Sequence, residues 1–580
     1  MLKINDYQDY LLTHPMIPSG PIPTAQDPDG VYPYQSYCET SKRPVLKKHT
    51  FIAMENDHMR VVVCPDLGGK VFSLKEKTSG KDILYSPDII RPVRILPRMA
   101  FISGGIEVSF PISHSPVQIE PVHFKTEQSG DRIYAWCGEK ELRFGMQWTV
   151  EYSLGPEDAF LTQRLLVRNP SRQAHPWMSW SDAAVLAQAD TQFHFPDSAV
   201  LRHSNKLEEI RWSQDGPKTQ ADIKGMTGYF WRNPDVHAFG VYTPSLQCGL
   251  YHVADPRLTP GMKLWSYGVG KHEPWSYSAS RARDCFLEIQ AGPFADQSIK
   301  SDLGPDQSQW SMEFWIPSLQ PLDINKIALP QVELKPIEAI PAFDWPPRPT
   351  VDIWVKLLDC YRENIPDSAI DLPGMESNNW APSGMEGLDQ ALRGAASHAD
   401  GNSRDLCLFQ LGCWYAGKDE VDKALETLAD CRDDRAWALA GRLHRRCKNN
   451  PQRAVECFQK IIAPEIALHP QVVVERDLAL ALLGPDSFDE RKKWLERVGA
   501  LEDEFLLERK AALLIDQGRF AEAKSILERT PFQLVHQRYS RSRLWKQIAS
   551  HNYSTSPEIP AQLGEDDLAE FGAYREYPED

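Results

Sequence analysis

Residues 104–116 read GGIEVSFPISHSP. Two glycines open a short β-branched strand, Glu107 stands between Ile106 and Val108, and Pro111 and Pro116 bracket a serine-rich loop carrying His114. A carboxylate in an apolar strand is expensive to bury unless it finds a partner or faces a cavity. The stretch reads as a strand, and by itself it leaves both readings of Glu107 open.

The surroundings fit a sheet. From about residue 45 to 320, segments such as MRVVVCP, DRIYAWCG, MQWTVEYSLGP, FLTQRLLVRNP, HAFGVYTP and CGLYHVA are short, β-branched or aromatic, and closed by turn residues. Repeated at close spacing, they predict an antiparallel sandwich or barrel. The alternation in Gln147–Tyr152 predicts one wet and one packed face.

Residues 321–350 hold seven prolines and read as an extended linker, because proline fixes φ and removes a donor. Beyond residue 350 the period becomes helical. Segments around LCLFQLGCWYAGKDEVDKALETLADC, AWALAGRLHRRCKNNPQRAVECFQKII and LERKAALLIDQGRFAEAKSILERT each read as two amphipathic helices broken at a turn. Ala424, Ala454 and Ala523 mark the close-packed positions, and Leu411-Gly412 and Tyr415 fit a tetratricopeptide-like pattern. The expected division is an N-terminal extension (1–44), a β-domain (45–320), the linker (321–350), a helical repeat domain (351–550) and an acidic tail (551–580) with eight acidic side chains against Arg575.

Composition narrows the function. The chain has 580 residues, is 42% hydrophobic and 25% charged, and carries 17 Trp, 19 Tyr and 22 Phe. A net charge of -16 argues against nucleic acid as a partner, since phosphate neutralisation needs clustered Lys and Arg. No run of 18 apolar residues argues for a membrane span, and the N-terminus lacks the pattern of a secretion signal, so a cytoplasmic protein is expected. Eleven cysteines without a CxxC pair suggest reduced thiols, and no HxH or HxxxH pair suggests a metal. No metal or other cofactor is expected.

MENDHMRVVVCPDLGGKVFSLKEKTSGKDILYSP, GGIEVSFPISHSP, YHVADPRLTPGMKLWSYG and FLEIQAGPFADQ together resemble the galactose-mutarotase-like β-domain of the DUF5107 group, commonly fused to tetratricopeptide repeats. The resemblance implies an antiparallel β-supersandwich with a sugar-sized groove on a concave sheet, followed by a helical solenoid. It also implies a base at Glu288, within FLEIQAGPFADQ, and on the opposite side of the sugar an acid group offered by His114 and Glu107. Opening a hemiacetal removes a proton from O1 and gives one to O5, which a carboxylate and an imidazole one ring apart can do. The family's second histidine is missing: the matching stretch VRNPSRQAHPWMSWSDAAV has Ser181 and Asp182.

Trp180 and Trp265 are candidate platforms for a sugar face, His123 and His252 candidate groove residues, and Arg94 a candidate forked donor to hydroxyls. Three functions stay open: an aldose epimerase-like enzyme, a glycoside hydrolase using a carboxylate pair from Glu107, Asp182 and Glu288, and a noncatalytic sugar sensor. The helical repeats are the candidate surface for a protein partner or a second copy.

Overall fold

The computed structural model describes residues 2–23, 25, 32–41, 43–94, 99–112, 114, 116–203, 207–269, 276, 280–297, 299–337, 345–365, 372–373, 379–498, 503–530, 538–551, 555–560 and 563. Two antiparallel sheets dominate the first half. The larger has eleven strands in the order Lys3–Thr13, Val45–Glu55, Met59–Cys64, Lys70–Glu76, Ile106–Val108, Ser181–Leu186, Phe286–Gly292, Gly261–Ser266, Thr227–Arg232, Ala199–His203 and Leu207–Arg211. The second has eight, in the order His123–Ser129, Arg132–Lys140, Gln147–Leu154, Leu161–Arg168, Ser308–Ser318, Cys248–Ala254, Ala238–Thr243 and Gln192–His194.

The period of two decides which side chains meet. Val71, Ile106, Val108, Ala183, Leu287 and Ile289 point between the sheets and pack in one cluster with Trp148, Val150, Tyr152, Leu165 and Trp315 of the second sheet. The intervening residues of the same strands, Glu107, Asp182, Glu288 and Gln290, consequently occupy the opposite face.

Two expectations change. Residues 1–44 contain a strand of the sheet itself: Lys3–Thr13 pairs with Val45–Glu55 along its whole length, from Lys3 opposite Glu55 to Thr13 opposite Val45. The predicted wet face of Gln147–Tyr152 is also covered. Thr149 Oγ1 accepts from Trp345 Nε1 at 2.9 Å, and Glu151 accepts from Arg164 Nε at 2.7 Å and Trp136 Nε1 at 2.8 Å. The proline-rich stretch provides the cover, since Arg164 Nη1 donates to the Lys335 carbonyl at 2.9 Å. Further along, Leu322, Ile327, Leu329 and Val332 pack against Tyr251, Val253 and Phe314. A face that its strands alone present to water is thus sealed by a later segment.

The second half is helical, in the chain order Asp352–Arg362, Leu388–His398, Gly401–Gly417, Val421–Ala429, Asp434–Arg446, Pro451–Gln459, Pro470–Ala481, Phe488–Arg497, Glu504–Asp516, Phe520–Arg529 and Arg538–His551, with a short turn at Pro464–Ala467. Several starts follow capping chemistry. Asp433 accepts from Arg435 N, Asp503 from Leu506 N, and Asn450 from Arg453 N with Pro451 in the first turn. Ala424, Ala454 and Ala523 are fully buried where neighbouring helices approach. No described helix is long and apolar enough to cross a membrane.

The halves share side chains. Arg348 donates to Glu139 at 2.7 Å and to Glu120 at 2.6 Å, while Tyr34 donates to the other Glu139 oxygen at 2.8 Å. Tyr32 belongs to the helical core and donates to the Ala381 carbonyl at 2.6 Å; two residues on, Tyr34 belongs to the sandwich core. Gln471 reads the backbone of Ile22 from both sides, accepting its N–H at 2.8 Å and donating to its carbonyl at 2.9 Å.

Removing one partner of a buried ion pair strands the other charge, at a cost of about 3–5 kcal/mol. Arg348→Met is therefore expected to lower the unfolding free energy of the full chain, read from denaturant curves, by an amount in that range. Glu141 supplies a second check. Burial pushes its carboxyl up to about 7 from 4.5, against three backbone N–H donors. A raised carboxyl contributes stability that is full below the unfolded value and lost as pH rises through the folded one. Stability should therefore fall between pH 4.5 and about 7, and Glu141→Gln should flatten that part of a pH series of unfolding curves.

Candidate functional site

Three neighbouring strands bring the acids together. Ile106–Val108 pairs with Ser181–Leu186 so that Glu107 lies directly opposite Asp182. The latter pairs with Phe286–Gly292, placing Gln290 opposite Asp182 and Glu288 opposite Ala184. The next strand sets Lys263 opposite Gln290 and Trp265 opposite Glu288. One face thus carries Glu107, Asp182, Glu288, Gln290, Lys263 and Trp265, with Glu107 and Glu288 two strand spacings apart across the sheet and two residues apart along it, roughly 11–12 Å in all.

The turn before the first strand fixes this register. Gly104 and Gly105 have φ of 88° and 74°, a region where side chains are strained. A Cβ on Gly105 would stand 2.3 Å from the Val71 carbonyl oxygen. Without one, Gly105 N donates to Tyr85 O at 2.8 Å and Gly105 O accepts from Ala184 N at 2.9 Å. After the strand, Ser109 and Trp180 bind reciprocally: Ser109 N donates to Trp180 O at 2.9 Å and Trp180 N to Ser109 Oγ at 3.0 Å. The loop then returns His114 over the strand, its Nδ1 3.3 Å from Glu107 Oε2.

The group is nearly closed to solvent: Glu107 is 2% exposed, Asp182 3%, Glu288 4% and His114 9%. The side chains expected to border an open hollow, Glu107 and His114, are thus almost wholly buried. Burial, then the Glu107 charge, raise the Asp182 carboxyl well above the carboxylate range. Burial also raises Glu288, with His114 and Lys263 opposing. For His114 burial acts downward, but Glu107 outweighs it and the imidazole's pKa is raised. Burial lowers Lys263 to about 8 and lowers Lys70 as well.

Hydrogen bonds hold one side of this face in order. Lys263 Nζ donates to Gln297 Oε1 at 2.6 Å, Gln297 Nε2 to Gln290 Oε1 at 2.9 Å, and Gln290 Nε2 to Glu288 Oε2 at 2.7 Å. This chain fixes both amide orientations and one Glu288 oxygen. Lys70 Nζ donates to the carbonyls of Ile102 at 2.8 Å and Gly104 at 2.7 Å. Neither Asp182 oxygen, nor Glu107 Oε1, has a hydrogen-bond partner among the described residues. Glu107, His114 and Asp182 each offer one ligand atom, all within 4.8 Å of one another, and so could hold a cation.

An aromatic wall flanks the group. Phe101 meets His114 edge-on with centroids 5.2 Å apart, Phe286 stacks on Tyr85 at 5.5 Å, and Trp265 lies 5.8 Å from Phe286. A cavity of about 460 Å³ lined by Lys81, Leu84, Tyr85, Val185 and Asp284, among others, shares Tyr85 with this wall but is not lined by the three carboxylates.

A family model described as a domain of unknown function (DUF5107) matches residues 26–318, and a second, for a C-terminal domain, matches residues 354–548. The chain is 48% identical to a TPR-domain-containing protein from Parabacteroides distasonis, whose crystal structure superposes with a TM-score of 0.93 over 98% of this chain and 99% of that one. It belongs to the DUF5107 family. Galactose mutarotase-like proteins from Clostridium acetobutylicum and Lactobacillus casei match 47% and 46% of this chain and 95% and 99% of their own, at 13% and 12% identity and TM-scores of 0.36 and 0.35. At that distance the likeness says nothing about chemistry.

Within the DUF5107 domain, Glu107, His114, Asp182, Glu288 and Trp265 are brought together. Trp180 shares their face, its ring meeting Phe230 edge-on at 5.9 Å. Two candidates lie elsewhere because their strands belong to the other sheet. His252 packs between Phe239 and Trp315, with both centroid distances 4.7 Å, and His123 stacks on Trp345 at 6.0 Å. Arg94 has a side chain outside the described residues. Lys70, Lys263, Gln290 and Gln297 were not anticipated. Counting by twos gives Gln290 from Glu288 and Lys263 from Trp265, whereas Gln297 lies beyond its strand and carries no such signal.

Gly105→Ala should force the Ile106–Val108 strand away from Val71. A loss of about 2–4 kcal/mol is expected, read as a lowered thermal midpoint of the full chain.

Proposed function

We propose that this DUF5107 protein is a carbohydrate-active enzyme acting at the anomeric centre of a neutral sugar, in the manner of an aldose epimerase. The observation that carries the reading is the convergence of Glu288 and the Glu107–His114–Asp182 group on one face of one sheet. They stand two strands apart and are bordered by Phe101, Phe286 and Trp265. Two strand spacings and an offset of two residues put the Glu107 and Glu288 backbones roughly 11–12 Å apart, which leaves room for one pyranose once side chains are counted.

In this reading Glu288, held through one oxygen by Gln290, uses the other to take the O1 proton. The Glu107–His114–Asp182 group faces the ring oxygen and supplies the electrophilic side. The aromatic wall offers apolar surface to a sugar face. Two lysines beside three carboxylates leave no surplus positive charge for an anionic substituent, which favours a neutral substrate. Hydrolysis is the second reading, supported by the close Glu107–Asp182 pair, because retaining glycosidases set their carboxyl groups about 5–5.5 Å apart.

Free sugars and oligosaccharides incubated with the full chain and followed by NMR separate these readings. Accelerated anomer exchange without new reducing ends is expected. Glu288→Gln should slow it by about 10²–10⁴-fold, the usual worth of a positioned base, with an unchanged melting temperature. New reducing ends from a glycoside would replace the epimerase reading by the hydrolase. Sugar binding that survives Glu288→Gln, without turnover by the native protein, would replace both by a sensor.

A further inference from the structure

We infer that Glu107, His114 and Asp182 form a binding site for one divalent transition-metal ion. The catalytic use of such an ion rests on the anomeric reading above; the site itself does not.

The first observation is geometric. Three side chains from two adjacent strands and one loop converge so that one ligand atom of each lies within 4.8 Å of the other two. Metal–ligand bonds of about 2.0–2.2 Å span such a group after a small inward movement. Glu107 and Asp182 are fixed by direct cross-strand pairing, and His114 is delivered by its loop with Nδ1 turned toward Glu107.

The second observation points to a missing partner. Asp182 is 3% exposed, yet neither of its oxygens has a hydrogen-bond partner among the described residues; Glu107 is 2% exposed and its Oε1 has none. A carboxylate out of water without donors is severely destabilised, and two acids directly opposed across a strand pair repel. His114 reaches one Glu107 oxygen, Oε2, at 3.3 Å, and the neighbouring lysines add no direct pair. Lys70 is spent on the carbonyls of Ile102 and Gly104, Lys263 on Gln297, and among the described residues no ion pair joins either lysine to Glu107 or Asp182. A cation between the three groups satisfies both carboxylates and the imidazole at once.

The donor set narrows the ion. Two carboxylates with one imidazole nitrogen suit zinc, manganese, iron(II) or cobalt, whereas magnesium and calcium prefer all-oxygen sites and copper(I) prefers sulfur. Three protein ligands leave a position for substrate oxygen, as in catalytic rather than structural sites. An ion there is a Lewis acid facing Glu288 across the same sheet, and it supplies the electrophilic role that a second histidine would otherwise fill.

The test uses the full chain, stripped with a chelator and titrated with cobalt(II) or manganese(II). One equivalent is expected to bind, with cobalt giving visible d–d bands and manganese losing its free-ion EPR signal. Asp182→Asn and His114→Gln should each weaken binding at least tenfold, while Glu288→Gln should leave it unchanged; melting curves show whether each variant is folded. No stoichiometric binding by the native chain at millimolar ion, or native affinity in a folded Asp182→Asn protein, would overturn the site. Sugar turnover at an unaltered rate after chelation would overturn its catalytic use. A metal-loaded protein that turns over no sugar would overturn the anomeric reading and leave the site standing.

Discussion

The cross-strand pair of Glu107 and Asp182 is the constraint around which the β-domain is arranged. Two acids on adjacent strands, both almost without solvent, are a poor way to stabilise a sheet. Apolar residues of similar size would pack there at less cost. The surrounding structure invests in keeping the acids in place: a double-glycine turn that only glycine can make, reciprocal Ser109–Trp180 hydrogen bonds, and two buried lysines whose ammonium groups are shared with carbonyls. Residues tuned away from ordinary protonation by burial and like charge are characteristic of functional sites.

The helical half bears on that site through the sandwich. Its core takes in Tyr32 while Tyr34 enters the sandwich core, and Arg348, just before the first long helix, binds Glu139 and Glu120. The proline-rich stretch seals the outer face of the second sheet. Removing the helices therefore strips Tyr32 and Ile22 of the Ala381 and Gln471 groups that bind them. This sets the helical repeats in a structural role first; a partner surface on them would be an addition to it.

The architecture was legible where local pattern and packing agree. Short β-branched segments became the strands, and the buried alanines Ala424, Ala454 and Ala523 marked the helix contacts. Glu107 stood out because a charge in an apolar strand violates the local rule, and period two then assigned it to the opposite face from Ile106. What the sequence did not disclose was long-range cover. Gln147–Tyr152 alternates as a half-wet strand should, and nothing local shows that Trp345, almost two hundred residues later, will donate to Thr149. His252 failed for the same reason: a histidine in a strand is read alike in either sheet, and only the strand order places it between Phe239 and Trp315. Lys70 and Lys263 carry no signal of their own in the sequence, since lysine is rarely buried without a partner and its residue type points to the surface.

Register turns these observations into chemistry. A slip of one residue between Ile106–Val108 and Ser181–Leu186 would send Glu107 into the sandwich and bring Ile106 out, so the turn at Gly105 is as much a part of the site as the acids. Asp182 then alters what the site can be. An imidazole at that position could bring its own positive charge or proton to a sugar oxygen, whereas an aspartate facing Glu107 brings a second negative charge into a volume with almost no water. Such a pair must hold a proton or a metal ion before it can act on an oxygen lone pair, and the orphaned Asp182 oxygens, with His114 alongside, have the donor character and spacing of the second.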